Sequence, residues 1–361
     1  MTSSHVITNN HLRIKKKYFN EIVLPILNKV FEKIEPIKKT YVIAGKIICL
    51  KFYSMALLKK MSSALEHNEV SEVNPPDLTV CIWDSVSTRT HLILPWENSS
   101  EYTYVQEVNT KIKNTDSFLG VYLNGEETLN LYNEQNNTAY FWIHDASNLP
   151  YWITAAPLRP ILNWFLSKTG VHLIHGAVVG LNGKSVLLTA KGGSGKSTTA
   201  LACLYAGMEY LGDDYITIKS GDIITAHSLF NSLKVFPQSL NIFPKLKEKI
   251  YYKDNVVAED EKLIIFLSEL FRKQMVKKSV LNAIFIPVIK NTKETRIIPA
   301  TKIDTMLAMI PTTLLQLSLT ESNKVTELKS IIERTPCYFL ELGSDVREIP
   351  EVIKSFLSYE Q

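Results

Sequence analysis

The chain has 361 residues, of which 45% are hydrophobic and 21% charged, and its formal net charge is +4. This composition excludes a disordered, fibrous or disulfide-scaffold protein and predicts a globular protein with a full core, divided into two domains. The charge is too small for this length to predict nucleic-acid or membrane binding.

Cysteine spacing and the length of apolar runs indicate the cellular compartment. The cysteines show neither metal-ligand nor redox-motif spacing, so we expect buried free thiols and a reducing environment. They are Cys49, Cys81, Cys203 and Cys337. The N-terminus is polar and carries no secretory signal, and no apolar run reaches the roughly 18 residues of a membrane span. We therefore predict a cytoplasmic protein without nucleic-acid or membrane partners.

Residues 1–150 are predicted to form a strand-rich α+β domain. In chain order the pattern predicts an amphipathic helix at 12–36, two strands within 40–54, a short helix at 55–68, a strand at 77–85 and a three-stranded meander at 117–143. Asn124-Gly125 is a hairpin-turn signal within the meander. Because this domain has no catalytic motif, our hypothesis is that it recognises substrate, by adding a peptide strand to its sheet edge.

Residues 151–361 are predicted to form an α/β nucleotide-binding domain, because strands and helices alternate around a glycine-rich loop. The predicted strands lie at 171–181, 184–190, 208–218, 283–289 and 336–343. The predicted helices lie at 161–170, 197–207, 302–318 and 325–333. Gly170 and Gly207 are the expected C-terminal stops of the first two helices.

The run from Ala190 to Ser197, AKGGSGKS, fits the P-loop pattern with Ala in place of the first Gly. Glycines let backbone N–H groups turn toward phosphate oxygens, and the following helix directs its positive end at the same anion. We expect Lys196 to reach the β- and γ-phosphates and Ser197 to bind Mg²⁺. The predicted nucleotide-binding residues are Gly192, Gly193, Ser194, Gly195, Lys196, Ser197 and Thr198. A glycine-rich turn without a ligand is the alternative, against which the strand–loop–helix context weighs.

Three residues flank this loop at informative distances. His175 lies 21 positions before Lys196, and Asp213 and Asp214 lie 17 and 18 positions after it. Hydroxyl phosphorylation needs an anion cradle, a metal ion and a carboxylate that deprotonates the nucleophile. An Asp pair alone is often a turn or a helix cap, and a lone His is often a core residue. Their position relative to the loop favours the catalytic interpretation.

Residues 174–218, IHGAVVGLNGKSVLLTAKGGSGKSTTALACLYAGMEYLGDDYITI, resemble the core of the HPr serine kinase/phosphorylase family. The resemblance implies a fold like the nucleotide domain of phosphoenolpyruvate carboxykinase. It also implies that Asp213 is the base on a substrate serine and that Asp214 and Ser197 hold Mg²⁺. His175 would assist near the transferred phosphoryl group.

The chain departs from that family in three ways. Thr198 stands where the family usually has an acidic residue, the second glycine-rich signature has no counterpart, and residues 1–150 do not resemble the usual N-terminal domain. The whole chain is more similar to the HPr-kinase-like proteins of ribosomal-peptide pathways, including lasso-peptide kinases. The shared patterns are Pro157-Leu158-Arg159, the Gly-Gly-Ser-Gly-Lys-Ser-Thr run and Leu-Gly-Asp-Asp-Tyr at 211–215. Those relatives phosphorylate a serine of a precursor peptide.

Two further cations are candidate ligand-binding residues. The segment 227–237 contains His227, Asn231, Ser232 and Lys234, and a comparable Ser-x-Lys segment in the lookalikes suggests phosphate or substrate binding by Lys234. An exposed lysine is an equal alternative. Arg334 could reach a phosphate, although a surface role is favoured.

The sequence thus predicts an ATP- and Mg²⁺-dependent kinase for a hydroxyl, with a serine-bearing peptide or protein as its partner. A small-alcohol kinase and an ATP-binding regulatory module without phosphotransfer stay open as alternatives. A homo-oligomer is also left open.

Overall fold

A computed structural model describes residues 11–97, 103, 117–250, 262–290, 292–317 and 324–359. It is a mixed α/β protein with two large sheets and a two-stranded ribbon. The chain divides into two compact units. The first unit comprises residues 1–42, 46–62 and 69–165, and the second comprises 43–45, 63–68 and 166–361. No helix within the described ranges has both the length and the apolar character needed to cross a bilayer.

The first unit is built on an eight-stranded sheet. Its strands are β1 (His11–Arg13), β2 (Ile37–Ile43), β3 (Lys46–Phe52), β4 (Glu69–Val70), β5 (Leu78–Asp84), β6 (Phe118–Leu123), β7 (Thr128–Asn133) and β8 (Thr138–Ile143). Its helices are α1 (Lys16–Tyr18), a π-helix (Phe19–Val23), α2 (Leu24–Lys33), α3 (Met55–Met61), α4 (Ser85–Thr88), a 3-10 turn (Ala146–Asn148), α5 (Tyr151–Ala155) and α6 (Arg159–Ser167).

The strand order of this sheet is β1-β6-β7-β8-β5-β3-β2-β4. The predicted meander is confirmed as β6, β7 and β8, which pair antiparallel in sequence order. Pairs β3–β5 and β5–β8 are parallel. Apolar side chains of the helical segment 16–33 pack on one face, including Tyr18, Val23 and Leu27, none of which is exposed.

The predicted first residue of the N-terminal helix was wrong. The amphipathic helix was expected from residue 12, but residues 11–13 form β1, which pairs with β6, and the helical segment begins at Lys16. The Ile14 N–H then donates to the Gly120 carbonyl oxygen on β6 at 2.9 Å. Backbone pairing with a neighbouring strand overrides helical periodicity here, because the periodicity reports only which side chains are buried.

The second unit carries a nine-stranded mixed sheet and the ribbon. Its strands are β9 (Val171–His175), β10 (Ala177–Leu181), β11 (Lys184–Leu188), β12 (Glu209–Gly212), β13 (Tyr215–Lys219), β14 (Thr225–His227), β15 (Ser232–Val235), β16 (Leu263–Phe266), β17 (Lys278–Ile289), β18 (Arg296–Pro299) and β19 (Cys337–Leu342). Its helices are a 3-10 turn (Ser63–Asn68), α7 (Lys196–Tyr205), α8 (Ser239–Ile242), a 3-10 turn (Pro244–Lys249), α9 (Lys302–Gln316), α10 (Lys324–Arg334) and α11 (Glu348–Tyr359).

Helices cover both faces of the nine-stranded sheet. Alternate strand residues enter different cores: Val186 and Leu188 contact the core of α7 and α11, whereas Leu187 contacts the core of α9 and α10. Side chains of a strand alternate between faces, so this division identifies a sheet buried on both sides. The α/β class predicted for this region is therefore observed.

The predicted single strand at 171–181 is wrong, because Gly176 separates β9, which pairs with β13, from β10, which pairs with β11 and β12. The predicted single strand at 208–218 is wrong for the same reason. β12 pairs with β10, whereas β13 pairs with β9 and β14. The break falls at Asp213-Asp214, where Asp214 adopts a left-handed φ of 69°. Aspartate tolerates this conformation better than most residues, so the pair can end one strand and start the next. The predicted helices at 302–318 and 325–333 are found at 302–316 and 324–334, and residue 318 lies outside the described residues.

Candidate active site

The register of the second sheet brings the flanking residues to the glycine-rich loop. Ala177 at the start of β10 lies opposite Leu188 at the end of β11, and Val178 lies opposite Gly212 at the end of β12. The loop leaves β11 and Asp213 follows β12, so both emerge at the same edge of the sheet. β9 ends at His175, immediately before β10, and delivers that residue to the same edge.

The backbone of the glycine-rich loop includes two glycines with positive φ. Gly193 and Gly195 adopt φ values of 78° and 95°, and Gly195 is the N-cap of α7. The first N–H groups of a helix lack intrahelical partners, so those of α7 are available at the loop. A Cβ added at Gly192 or Gly193 would meet nothing within 4 Å. The loop therefore borders open space at these two glycines.

Lys196 and Ser194 are polar side chains held inside this loop. The Lys196 Nζ donates to the carbonyl oxygens of Ala190 at 2.6 Å and Lys191 at 3.0 Å. Burial lowers the pKa of Lys196, and the Asp213 charge opposes that effect. The Ser194 hydroxyl is buried and has no hydrogen-bond partner among the described residues. Both side chains can donate to an anion in the loop.

Asp213 is a buried carboxylate, 2% exposed, beside the start of α7. Burial and the charge of Asp214 raise its pKa above the ordinary value, although a hydrogen bond from the Ser197 hydroxyl acts in the opposite direction. A carboxylate with a raised pKa is a better proton acceptor near neutral pH. The Ser197 contact also ties Asp213 directly to the glycine-rich loop.

Asp214 has a different environment from its neighbour. Its carboxylate lies 2.5 Å from the Lys234 Nζ and 3.4 Å from the His175 Nε2. Burial alone would raise its pKa, but the Lys234 ammonium and the His175 side chain overcome this and hold the pKa well below the ordinary value. Asp214 therefore stays ionised wherever Asp213 titrates.

His175 is positioned by α9. Its backbone N–H donates to the Thr313 Oγ1 at 3.2 Å, and the Gln316 Nε2 lies 3.3 Å from its Nδ1. The Gln316 Oε1 in turn accepts a hydrogen bond from the Tyr215 hydroxyl at 2.7 Å. These contacts fix the ring against the sheet edge and leave Nε2 facing Asp214.

These residues line one pocket of about 440 Å³. Its lining residues are His175, Gly192, Gly193, Gly195, Lys196, Ser197, Thr198, Asp213, Asp214, Lys234, Val235, Phe236, Ser239, Lys262, Ile289, Thr312 and Gln316. Three lysines face two aspartates there, so the pocket carries an excess of positive charge suited to a polyanion.

The pocket also holds oxygen donors of the kind that Mg²⁺ takes. No group of three or more His, Cys, Asp or Glu side chains that could hold a metal ion occurs within the described parts of the chain. Mg²⁺ is usually bound through one or two carboxylates plus substrate phosphates and water. The Ser197 hydroxyl and the two aspartates fit that mode, whereas a cage of protein ligands alone does not form.

Comparisons with known proteins add little to this geometry. No family model matches the chain, and no curated protein matches it. Among solved structures, the chain is similar to the Hpr(Ser) kinase/phosphatase from Coxiella burnetii at 12% identity and a TM-score of 0.31. That likeness covers 53% of this chain and 99% of the other. At this TM-score the likeness carries no inference about the chain.

Several residues of the pocket were not predicted from the sequence. Lys262, Phe236 and Ile289 contribute a cation and two apolar side chains, and Thr312 and Gln316 come from α9. None belongs to a motif, and only the pairing of distant strands and helices brings them to the loop. For Lys262, a cation at the start of an apolar strand, LIIF, is the one local signal.

Other candidates from the sequence lie elsewhere. Of the segment 227–237, Lys234 reaches the pocket, whereas the Thr225 Oγ1 lies 2.9 Å from the His227 Nε2 and Asn231 donates to the Ser63 carbonyl oxygen. Ser232 is buried within the ribbon strand β15. Arg334 donates to the carbonyl oxygens of Gly221 and Asp222, in agreement with the surface role favoured for it.

Proposed function

We propose that this protein is an ATP- and Mg²⁺-dependent kinase that phosphorylates a hydroxyl group. The observation that carries the proposal is the meeting of the glycine-rich loop, His175 and the Asp213-Asp214 pair in one positively charged pocket. An anion-binding loop alone would support nucleotide binding. A buried carboxylate with a raised pKa beside that loop adds the means to deprotonate an acceptor.

The loop residues are proposed to bind the phosphates of ATP. Gly193 and Gly195 have the positive φ values that turn backbone N–H groups inward, and the start of α7 adds its positive end. The Lys196 ammonium lies against the loop carbonyls and can move its hydrogen bonds to phosphate oxygens. Ser194 and Thr198 are proposed to add hydroxyl donors.

Ser197 and Asp214 are proposed to hold Mg²⁺, which would neutralise charge on the phosphates when bound. Their oxygens are hard donors, and Asp214 is kept ionised by Lys234 and His175. Lys234 therefore acts on the metal side by orienting Asp214. Ser197 also forms a hydrogen bond with Asp213. We therefore expect both Asp213→Asn and Asp214→Asn to change the Mg²⁺ dependence of the rate. The variant with the larger change identifies the aspartate that binds Mg²⁺.

Asp213 is proposed as the general base of the transfer. The acceptor hydroxyl gives its proton to the Asp213 carboxylate while its oxygen forms a bond to the γ-phosphorus. The bond from that phosphorus to the β–γ bridging oxygen breaks, and ADP leaves with the electron pair. His175, held beside Asp214, stabilises the transferring group electrostatically. Most of the rate enhancement would come from positioning and charge neutralisation.

The acceptor is proposed to be a serine of a peptide or protein. This part rests on the resemblance of residues 174–218 to HPr-kinase-like sequences and not on the pocket geometry. Recognition of the peptide by residues 1–150 and the cytoplasmic location stay predictions. A small alcohol is the competing acceptor, and the experiment below separates the two.

The test is phosphate transfer by the full-length protein. It is incubated with radiolabelled ATP, Mg²⁺ and one of three acceptor pools: serine-containing peptides, the same peptides with serine replaced by alanine, or small alcohols. We expect label only on the serine peptides. Lys196→Ala should lower the rate by about 10²–10³-fold, because it removes a cation from the developing negative charge.

The matched control is Lys278→Ala, an exposed lysine outside the pocket, which should keep the wild-type rate. Label on small alcohols alone would overturn the peptide assignment and leave the kinase assignment standing. Binding of ATP without product from any pool would overturn the kinase proposal and identify a nucleotide-binding module.

A further inference from the structure

The ribbon of β15 and β16 has two chemically different faces. Its strands pair antiparallel, with Lys234 opposite Ile264 and Val235 opposite Leu263, so the next opposed pair is Phe236 and Lys262. Leu233, Val235, Leu263 and Ile265 enter the core beside α7. The alternate positions Lys234, Phe236 and Lys262 line the pocket, which Val235 also borders. The ribbon therefore presents two lysines to the space above the glycine-rich loop.

The two ribbon lysines differ in what they contact. Lys234 is committed to Asp214 at 2.5 Å. Lys262 forms no ion pair with any described carboxylate, and its Nζ lies 5.2 Å from the centre of the Phe236 ring. An aromatic face attracts an ammonium weakly compared with a carboxylate and leaves its N–H donors available. Among the described residues, Lys262 is thus the ribbon cation whose ammonium has no carboxylate partner.

Lys262 shares its pocket with residues on both sides of the proposed transfer, the phosphate side and the acceptor side. Lys262 lines the same pocket as Lys196 and Asp213. Lys196 belongs to the phosphate side and Asp213 to the acceptor side of the proposed reaction. A cation in the pocket that these two residues share can meet the γ-phosphoryl group as it passes from one side to the other.

We propose that Lys262 binds the γ-phosphoryl group of ATP and stabilises it during transfer, while Lys234 only orients Asp214. This inference rests on the proposed kinase function. It divides the ribbon into a positioning lysine and a substrate-binding lysine. The Phe236 ring, whose centre lies 5.2 Å from the Lys262 Nζ, is proposed to hold that side chain over the pocket.

The test compares ATP with ADP, since only ATP carries the γ-phosphoryl group. Affinities for ATPγS and ADP with Mg²⁺ are measured by calorimetry for the full chain, Lys262→Ala, Lys262→Arg and the exposed-site control Lys278→Ala. We expect Lys262→Ala to weaken ATPγS binding by about 10-fold or more while ADP affinity changes by less than about 3-fold. Its kcat should fall by about 10²–10³-fold, and Lys262→Arg should recover much of the loss.

Retained ADP affinity reports that the variant is folded, so a loss of ATPγS affinity then belongs to the side chain. Equal weakening for both nucleotides would overturn the assignment to the γ-phosphoryl group. Unchanged affinity and kcat in Lys262→Ala would overturn it as well, with the kinase proposal intact. Failure of the wild-type protein to bind either nucleotide would instead overturn the proposed function.

Discussion

Each unit of the molecule places a buried aspartate at the end of a strand, and the two have different surroundings. In the first unit Asp84 ends β5, is fully buried, and accepts a 2.7 Å hydrogen bond from the Ser87 N–H as the N-cap of α4. In the second unit Asp213 follows β12 and lines a pocket. Its neighbours are a like charge, Asp214, and the Ser197 hydroxyl of the glycine-rich loop.

The comparison teaches that burial of a carboxylate does not by itself indicate function. Asp84 satisfies a backbone N–H of its own helix, which is a local folding role. Asp213 has no helix to cap, and it faces a like charge that local folding does not require. A buried carboxylate whose neighbours raise its pKa beside an anion-binding loop is the pattern expected of a catalytic group.

The largest expected effect comes from substituting each of these two aspartates separately. Asp213→Asn should lower kcat by about 10²–10⁴-fold, because the proposed proton acceptor is lost. The pKa of Asp213 is raised in the fold, so its ionised form destabilises the protein as pH rises through that pKa. At neutral pH the Asn variant should therefore be more stable, by on the order of 1 kcal/mol, measured by thermal unfolding.

Asp84→Ala is the counterpart in the first unit. It should lower the free energy of unfolding by about 1 kcal/mol through loss of the cap and keep the rate per folded molecule. If Asp84→Ala impaired transfer as strongly as Asp213→Asn, the distinction between the two aspartates would be wrong.

The second expected effect concerns ion pairs. Lys234→Met should destabilise the second unit by about 2 kcal/mol, because it leaves the Asp214 charge without its nearest cation. This loss is smaller than the roughly 3–5 kcal/mol expected for a fully buried pair, since both side chains are partly exposed. Adding Asp214→Asn should restore part of the loss. Lys39→Met in the first unit breaks a pair with Glu69 in which both side chains are about a third exposed, and should cost less than about 1 kcal/mol. Urea unfolding of all four proteins measures the difference, and equal losses for the two lysines would contradict it.

The third expected effect concerns glycines. Gly195 has φ of 95°, and a Cβ there would lie 2.6 Å from the Leu342 Cδ1. Gly195→Ala should therefore destabilise by about 1–2 kcal/mol and weaken nucleotide binding. Gly125→Ala in the first unit, where a Cβ meets nothing within 4 Å, should change neither property. Thermal unfolding and ATP titration of the two variants provide the comparison, and a harmless Gly195→Ala would show that the loop shape is not required.

The smallest expected effect is on the pH dependence. In the proposed mechanism transfer needs ionised Asp213, whose pKa is raised, so kcat/KM should decline with falling pH earlier than for an ordinary aspartate. Asp214, whose pKa is lowered, stays ionised and should add no second step. Rates measured between about pH 4 and pH 8 should thus show one acid limb. An acid limb of the kcat/KM profile that depends on two protons would contradict the different environments of the two carboxylates. So would an acid limb at the pH expected for an ordinary aspartate.

Local sequence patterns predicted much of the fold. The alternation at 117–143 identified the meander, and the glycine-rich loop between β11 and α7 followed from Gly spacing and apolar flanks. These features depend on neighbours in the chain. The strand break at Asp213-Asp214 was missed, because an apolar run does not report that its two halves pair with different strands.

The candidate site could be predicted from the sequence only for residues that lie near the glycine-rich loop in the chain. His175, Lys196 and the aspartates stand within about 40 residues of one another, so spacing could indicate them. Lys262 and Gln316 reach the pocket from the ribbon and from α9, through long-range pairing that leaves no local pattern. For the same reason the sequence could not indicate that Lys234 pairs with Asp214.

The pairing of β9 with β13 sets His175 opposite Tyr215 and Ile174 opposite Ile216, which lies in the core beside α9. A one-residue slip between these strands would exchange the two faces, sending Ile174 to the pocket and the imidazole into the core. A change of one residue in the length of either strand would therefore remove His175 from the pocket. Single-residue insertions or deletions should accumulate in the exposed turn at 221–223, where the chain reverses, and should be absent from β9 and β13 in any lineage that keeps the proposed site.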